Sequence, residues 1–191
     1  MPNINWGSVE AKSDGDFQSI EPGAYVCAIM DAQTDQQNEY VVLEFDVMEG
    51  PKAECFKGSL FPPRMWLSWK DGALPMTKGR LETIQADNPG FDAMAAFNNN
   101  ASLFKAKKCG VVFRAEEYVD RKTGEVKMGS PKPYRIVPVA DVRAGKIAAP
   151  KPKLMTDDQI EQKGGHRPEK LARQAPAPSS TATVDEEDIP F

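Results

Sequence analysis

The sequence predicts a mainly β protein built on a five-stranded antiparallel barrel of the OB type. One or two helices are expected between the third and fourth strands, and a disordered C-terminal tail is expected after the barrel. Two observations carry this prediction. Short apolar segments with the period of two that is typical of β-strands recur up to about residue 139, and helical spacing interrupts them only once. Beyond residue 142 the chain becomes rich in Pro, Ala, Lys and Ser, a composition that buries too little to order itself.

The first two strands have the clearest patterns. Ala24–Met30 is a continuous apolar stretch, which is typical of a buried strand. A polar turn is expected over Gln33–Asn38. In Tyr40–Met48 apolar residues alternate with acidic ones, which indicates a strand with one buried face.

The third strand and the helical region follow. Phe56–Trp69 is aromatic and aliphatic but contains Pro62-Pro63, so this strand is expected to be bent or to lie at a sheet edge. Met76–Asp87 has the spacing of a helix, and Asn88-Pro89-Gly90 is a strong stop signal. A second short helix is expected to begin near Phe91.

The last strands are predicted from alternation over Val111–Val119, a hairpin turn at Asp120–Gly124 and a final strand at Pro133–Val139. Thr156–Gln159 matches a helix capping box, but the glycines that follow favour only a transient turn. The predicted organisation is a lead-in (1–19), an OB-like domain (20–142), a flexible linker (143–184) and an acidic tip (185–191).

Charge is unevenly distributed along the chain. The whole chain has 24 basic and 28 acidic side chains, and four of the acids lie in residues 185–191, so residues 1–184 sum to 24 − 24 = 0. Residues 1–50 hold ten acids and one base, whereas residues 101–135 hold nine bases and four acids. A local basic groove is therefore expected, and a uniformly basic protein is excluded.

Cysteine and histidine usage gives little sign of a metal or redox site. Three cysteines without close spacing favour reduced thiols in a cytoplasm, and the one histidine, His166, has no Cys partners nearby in sequence. The N-terminal residues lack the pattern of a signal peptide, and no apolar run is long enough to span a membrane. We therefore expect a protein of a bacterial cytoplasm, with no membrane partner, no metal and no cofactor.

The segment from Phe56 to Lys70 interleaves aromatic and cationic side chains, which single-stranded nucleic acid requires for base stacking and phosphate binding. Its candidate DNA-binding residues are Phe56, Lys57, Phe61, Arg64, Trp66, Trp69 and Lys70. Trp66 and Trp69 have opposite parity, so one regular strand cannot bury both, and one is expected to be exposed. The alternative is that both are core residues and that the cations only solvate the rim.

A second candidate platform lies on the later strands. Arg114 and Tyr118 are predicted to share an outward face, although Glu116 between them favours an ordinary solvated face. Tyr134 is expected to join either this face or the core. The further candidate phosphate contacts are Lys107, Lys108, Arg121 and Lys122.

The final residues of the sequence combine four carboxylates with an apolar end. They are Asp185, Glu186, Glu187, Asp188, Ile189, Pro190 and Phe191. This segment resembles the C-terminal tip of bacterial and phage single-stranded-DNA-binding proteins, and the barrel resembles divergent phage members more than bacterial housekeeping ones. The resemblance implies that the protein coats single-stranded DNA with little sequence preference. It also implies that the tip recruits replication, recombination and repair proteins.

Enzyme signatures are absent from the sequence, which has no Walker-type glycine loop and no Gly-x-Ser-x-Gly elbow. Its one histidine, His166, lies in the predicted flexible linker, so a catalytic triad has no expected base. We therefore expect a non-enzymatic DNA-binding protein. Two alternatives remain open at this point: an adaptor that binds host replication proteins through the tip without binding DNA, and a metal-dependent nucleic-acid enzyme. Homo-oligomer formation is also left open.

Overall fold

The computed structural model describes residues 20–167. The predicted lead-in (1–19), the last part of the predicted linker (168–184) and the tip (185–191) lie outside the described residues. By their contacts the described residues form two compact units, one of residues 20–117 and 128–155 and one of residues 118–127 and 156–167.

The described chain contains seven strands, and five of them build a barrel. The strands are β1 (Gly23–Asp35), β2 (Tyr40–Val47), β3 (Arg64–Ser68), β4 (Lys108–Arg114), β5 (Glu117–Val119), β6 (Val126–Met128) and β7 (Lys132–Val137). The order β3-β2-β1-β4-β7 forms one sheet in which every neighbouring pair is antiparallel, and this sheet curls into a nearly closed barrel. The predicted five-stranded OB-like barrel is confirmed.

Helices occupy the predicted place between the third and fourth barrel strands. The four α-helices of the described chain are α1 (Leu74–Asp87), α2 (Ala93–Asn99), α3 (Val139–Arg143) and α4 (Asp157–Gln162). Thr77, Leu81 and Ile84 are the buried residues of α1, with the spacing of one helix face. The Asn88 side-chain amide ends the helix by donating to the carbonyls of Ile84 and Lys108. No helix of the described part has the length and apolar character needed to cross a membrane.

The barrel core is formed mainly by β1, β2 and β4. On β2 the predicted apolar face is fully or almost fully buried, with Val41, Leu43 and Phe45 at 0% and Val47 at 1% exposure. β1 continues through the first residues of the predicted polar turn to Asp35, because its backbone keeps pairing with β2 although its side chains there are polar. The turn expected over Gln33–Asn38 was therefore too long.

The predicted strand over Val111–Val119 is wrong as a single element. β4 ends at Arg114, and residues 117–119 pair instead with β6 in a separate two-stranded sheet. β4 is buried on both sides, and helix α3 lies close to it at Gly110, where a Cβ would be 2.7 Å from the Val142 Cγ2. Strict alternation therefore could not describe this strand.

The predicted third strand is shorter than expected. Only Arg64–Ser68 forms β3, whereas Phe56 and the residues before the two prolines form turns. Proline lacks the N–H that a sheet ladder needs, so Pro62-Pro63 delays the start of the strand. β3 lies at the edge of the sheet order, as predicted.

The second unit is a hairpin with a helix of its own. The predicted turn over Asp120–Gly124 is confirmed by the Gly124 N–H, which donates to the Asp120 carbonyl at 2.8 Å. In the same unit the His166 N–H donates to the Gly124 carbonyl at 2.8 Å. The Thr156 capping box forms both of its hydrogen bonds, so α4 is a helix where only a transient turn was expected.

Candidate nucleic-acid interface

The outer face of β3 presents an exposed tryptophan. Met65 and Leu67 point into the barrel and are 3% and 0% exposed, whereas Trp66 between them is 52% exposed. This difference follows from the period of two in a strand. Arg64 lies on the same outer face, and its Nη2 forms an ion pair with Glu44 of β2 at 2.6 Å.

Trp69 has the opposite environment. It is half-buried against the core, and its ring meets Phe97 edge-on at a centroid distance of 6.0 Å. Trp66 thus faces outward and Trp69 faces the core, in agreement with their opposite parity in the sequence. Trp69 is therefore less accessible to a base than Trp66 is.

The remaining candidates of the Phe56–Lys70 segment also fall into two groups, one packed on the core and the other exposed. Phe56 packs on the core and stacks on Phe113 at 6.4 Å, so it is a structural residue. Phe61 is 85% exposed and presents a free ring. The cations beside them are exposed, with Lys57 Nζ 2.9 Å from Glu54 and Lys70 Nζ 3.9 Å from Glu39.

A second aromatic group lies on β7. The Arg114 guanidinium stacks over the Tyr134 ring at 4.3 Å, and Arg135 lies 5.8 Å from the same ring. Arg114 is also ion-paired with Glu116 at 2.8 Å, and this hydrogen bond lowers the pKa of the Glu116 carboxyl. The predicted Arg114–Tyr118 platform does not form on one strand, because β4 ends before Tyr118. Arg114 is paired with Tyr134 instead.

Arg80 of helix α1 connects β3 to β7. Its Nη1 donates to the Trp66 carbonyl at 3.3 Å and its Nη2 donates to the Tyr134 carbonyl at 3.2 Å. One guanidinium therefore bridges the two strand edges that face each other where the barrel closes. Burial lowers the pKa of Arg80, although an arginine remains charged at neutral pH.

Charge on the outside of the barrel is sorted by strand. Cations predominate on β7 and the end of β4, where Arg114 is directly opposite Lys132. Acids predominate on β1 and β2, where Asp31 is directly opposite Glu44. On that side Asp35 accepts a hydrogen bond from Tyr40 and raises the pKa of the tyrosine.

We use the name seam surface for the residues that the closing strands bring together. The seam surface consists of Arg64, Trp66, Arg80, Arg114, Tyr134 and Arg135. It combines one exposed indole with several guanidinium groups. Such a surface is suited to stacking on a base and to binding phosphates.

The other predicted cations lie elsewhere. Lys108 begins β4 and Arg114 ends it, which separates them by about 20 Å at 3.4 Å per residue. Lys107 stacks over Phe91 at 4.7 Å, next to Lys108. The remaining candidates belong to the second unit, where they are exposed: Tyr118, Arg121 and Lys122.

Two residues of the seam surface were missed by the sequence analysis. Arg80 lies three residues after Thr77 and four before Ile84, so it falls on the buried face of α1. Charged residues are rarely buried without a partner, so an arginine on the buried face of a helix indicates a specific role. This signal could have been read from the sequence. Arg135 carries no comparable signal, because its place depends on the approach of β7 to β3.

No group of three or more His, Cys, Asp or Glu side chains within residues 20–167 has the geometry to hold a metal ion. The three cysteines are free thiols, and burial raises the pKa of both Cys27 and Cys109. No protein-family model matches the chain, and no curated protein matches its sequence.

Proposed function

We propose that the protein binds single-stranded DNA with little sequence preference on the seam surface and recruits replication, recombination or repair proteins through residues 185–191. The observation that carries the DNA-binding part is the 52% exposed Trp66 on the outer face of β3. An indole stacks on any base, because every base has a π-face, and stacking is therefore tolerant of sequence. Arginines beside the indole supply attraction for the phosphates.

The seam residues have distinct roles in this proposal. Trp66 stacks on one base, and Arg135 is exposed and available to a phosphate. The ion pair with Glu44 fixes the orientation of the Arg64 side chain. The remaining N–H donors of Arg64 are available to the DNA. The exposed Phe61 in the turn before β3 provides a second ring for stacking.

The tip has a separate role. Its Phe191 side chain would fill an apolar pocket of a partner. The acids Asp185–Asp188 would accelerate the encounter electrostatically. This part of the proposal rests on the resemblance of the tip, which lies outside the described residues.

A fluorescence-anisotropy titration of the full chain with labelled oligo-dT tests the DNA-binding part. Binding that weakens as salt rises supports it, because bound cations replace the counter-ions of the phosphates. A chain that binds replication proteins but gives no anisotropy change with DNA in dilute buffer would be an adaptor. Magnesium-dependent cleavage of the oligonucleotide would instead indicate an enzyme.

Deletion of Asp185–Phe191 tests the tip. The four carboxylates compete with DNA for basic groups, so the truncated chain is expected to bind oligo-dT more tightly at low salt and to lose its protein partners. Neutralising the same acids to Asn and Gln while keeping Ile189-Pro190-Phe191 is the matched control for charge alone. Equal or weaker DNA binding by the truncated chain at low ionic strength contradicts the prediction.

A further inference from the structure

Arg80 is a half-buried cation without an ionic partner in the described structure. Within residues 20–167 no carboxylate forms an ion pair with it, and its hydrogen bonds there go to the carbonyls of Trp66 and Tyr134. Burial of a charge is unfavourable, and buried charges are normally paired. The position of Arg80 therefore calls for an explanation beyond packing.

The two carbonyl contacts use only part of the hydrogen-bonding capacity of the Arg80 guanidinium. A guanidinium has five N–H donors, and two are needed for the two carbonyls. Three donors and a full positive charge remain, on a guanidinium that contacts the backbone carbonyl of the exposed Trp66. A planar cation with several free donors is suited to the oxygens of a phosphate.

The charges around Arg80 restrict the path of an anionic strand. The outer side of β1 and β2 carries Asp31 and Asp35, which repel phosphates, and Glu44, which is ion-paired with Arg64. The side of β7 carries Lys132 and Arg135, which attract them. A strand that stacks a base on Trp66 is therefore drawn toward the junction of β3 and β7, where Arg80 lies.

We propose that Arg80 binds a phosphate group of the DNA strand, so that the strand follows the junction of β3 and β7 instead of the β1–β2 face. This inference rests on the proposed function, since it assigns a phosphate contact within the seam surface. Arg80 then has two tasks. It holds the edges of β3 and β7 together, and it places a positive charge next to the base stacked on Trp66.

Two substitutions separate these tasks. Arg80→Gln removes the charge, whereas Arg80→Lys keeps the charge but lacks the planar fork that bridges two carbonyls. Lys78→Gln is the matched control, because Lys78 is an exposed cation on the same helix whose Nζ lies 3.7 Å from Glu82. All three full-length variants are compared with the wild type by thermal melting and by oligo-dT anisotropy across about 50–200 mM salt.

A phosphate contact predicts that Arg80→Gln binds about tenfold more weakly, as expected for the loss of one charge-assisted hydrogen bond. It also predicts that the slope of log K against log salt becomes shallower by about 0.7, the value for one phosphate of a single strand. Arg80→Lys is expected to keep the wild-type slope, and both Arg80 variants are expected to melt at a lower temperature. Lys78→Gln is expected to match the wild type in melting and in slope.

A wild-type salt slope in folded Arg80→Gln overturns the inference and leaves a purely structural bridge. If Arg80→Gln does not fold, the arginine Nε–H resonances of ¹⁵N-labelled wild-type protein provide the test. Oligo-dT is then expected to shift the resonance that is missing in Arg80→Lys, and an unshifted resonance overturns the inference. Failure of the proposed function itself is distinguishable, because the wild type would then show no DNA binding at all.

Discussion

Replacing Trp66 with alanine tests the stacking role against a control that the chain itself provides. Trp66 is 52% exposed on the outer face of β3, whereas Trp69, three residues later, packs on the core and on Phe97. The same substitution at the two positions is therefore expected to have opposite consequences. One should change DNA binding, and the other should change folding.

The expected magnitudes follow from these environments. A base stacked on an aromatic ring contributes about 1–3 kcal/mol, so Trp66→Ala is expected to weaken oligo-dT binding by about 5-fold to 150-fold. Because about half of the Trp66 side chain is already in water, its loss is expected to cost about 1 kcal/mol of unfolding free energy or less. Trp69→Ala removes a partly buried indole and is expected to cost about 2–4 kcal/mol of stability.

The assay is an anisotropy titration at a temperature where urea melts show both variants to be folded. The account predicts weak binding with near-normal stability for Trp66→Ala and near-normal binding with low stability for Trp69→Ala. Trp66→Phe keeps a ring and should recover part of the affinity. Wild-type affinity in Trp66→Ala, together with weak binding by folded Trp69→Ala, would refute the assignment of the two tryptophans.

Three further predictions concern the barrel and its charges. Gly110→Ala is expected to lower stability by about 1–3 kcal/mol in a urea melt, because its Cβ would overlap the β7 backbone, and an unchanged melt would contradict this packing. In the native protein a thiol reagent is expected to modify half-buried Cys55 well before Cys27 and Cys109, because burial raises the pKa of all three thiols but shields only these two from the reagent, and simultaneous reaction of all three would contradict it. The pKa of Glu116 is lowered in the folded state, so its stabilising effect is present above the unfolded pKa and is lost as pH falls through the folded value. Glu116→Gln should therefore melt below the wild type at pH 7 and together with it in acid, and a difference that persists in acid would count against the ion pair.

Local patterns predicted the elements that pack on one side. The alternation on β2 and the helical spacing of α1 each match a single buried face, so the position of Phe45 or Leu81 could be inferred from the sequence. β4 could not be described in this way, because it is covered on both sides and its apolar run has no period. The extra length of β1 was missed for a related reason: backbone pairing with β2 continues where the side chains are polar.

The candidate site was predictable only in part. The parity of Trp66 and Trp69 indicated that one of them faces outward, and the sequence around them supplied Arg64. The contacts that complete the seam surface join residues far apart in the chain, such as Arg80 with Tyr134. Such contacts depend on barrel closure, which no local pattern encodes.

Photocrosslinking identifies the side chain that contacts a base of the bound DNA. Full-length protein bound to oligo-dT that contains 5-iododeoxyuridine is irradiated, digested with trypsin and mapped by mass spectrometry. The account predicts a principal crosslink at Trp66, in the peptide of residues 65–70 that follows Arg64. Crosslinks at Trp69 of the same peptide, crosslinks confined to other peptides, or no crosslinks under conditions of saturating DNA would contradict the claim that the outer face of β3 binds unpaired bases.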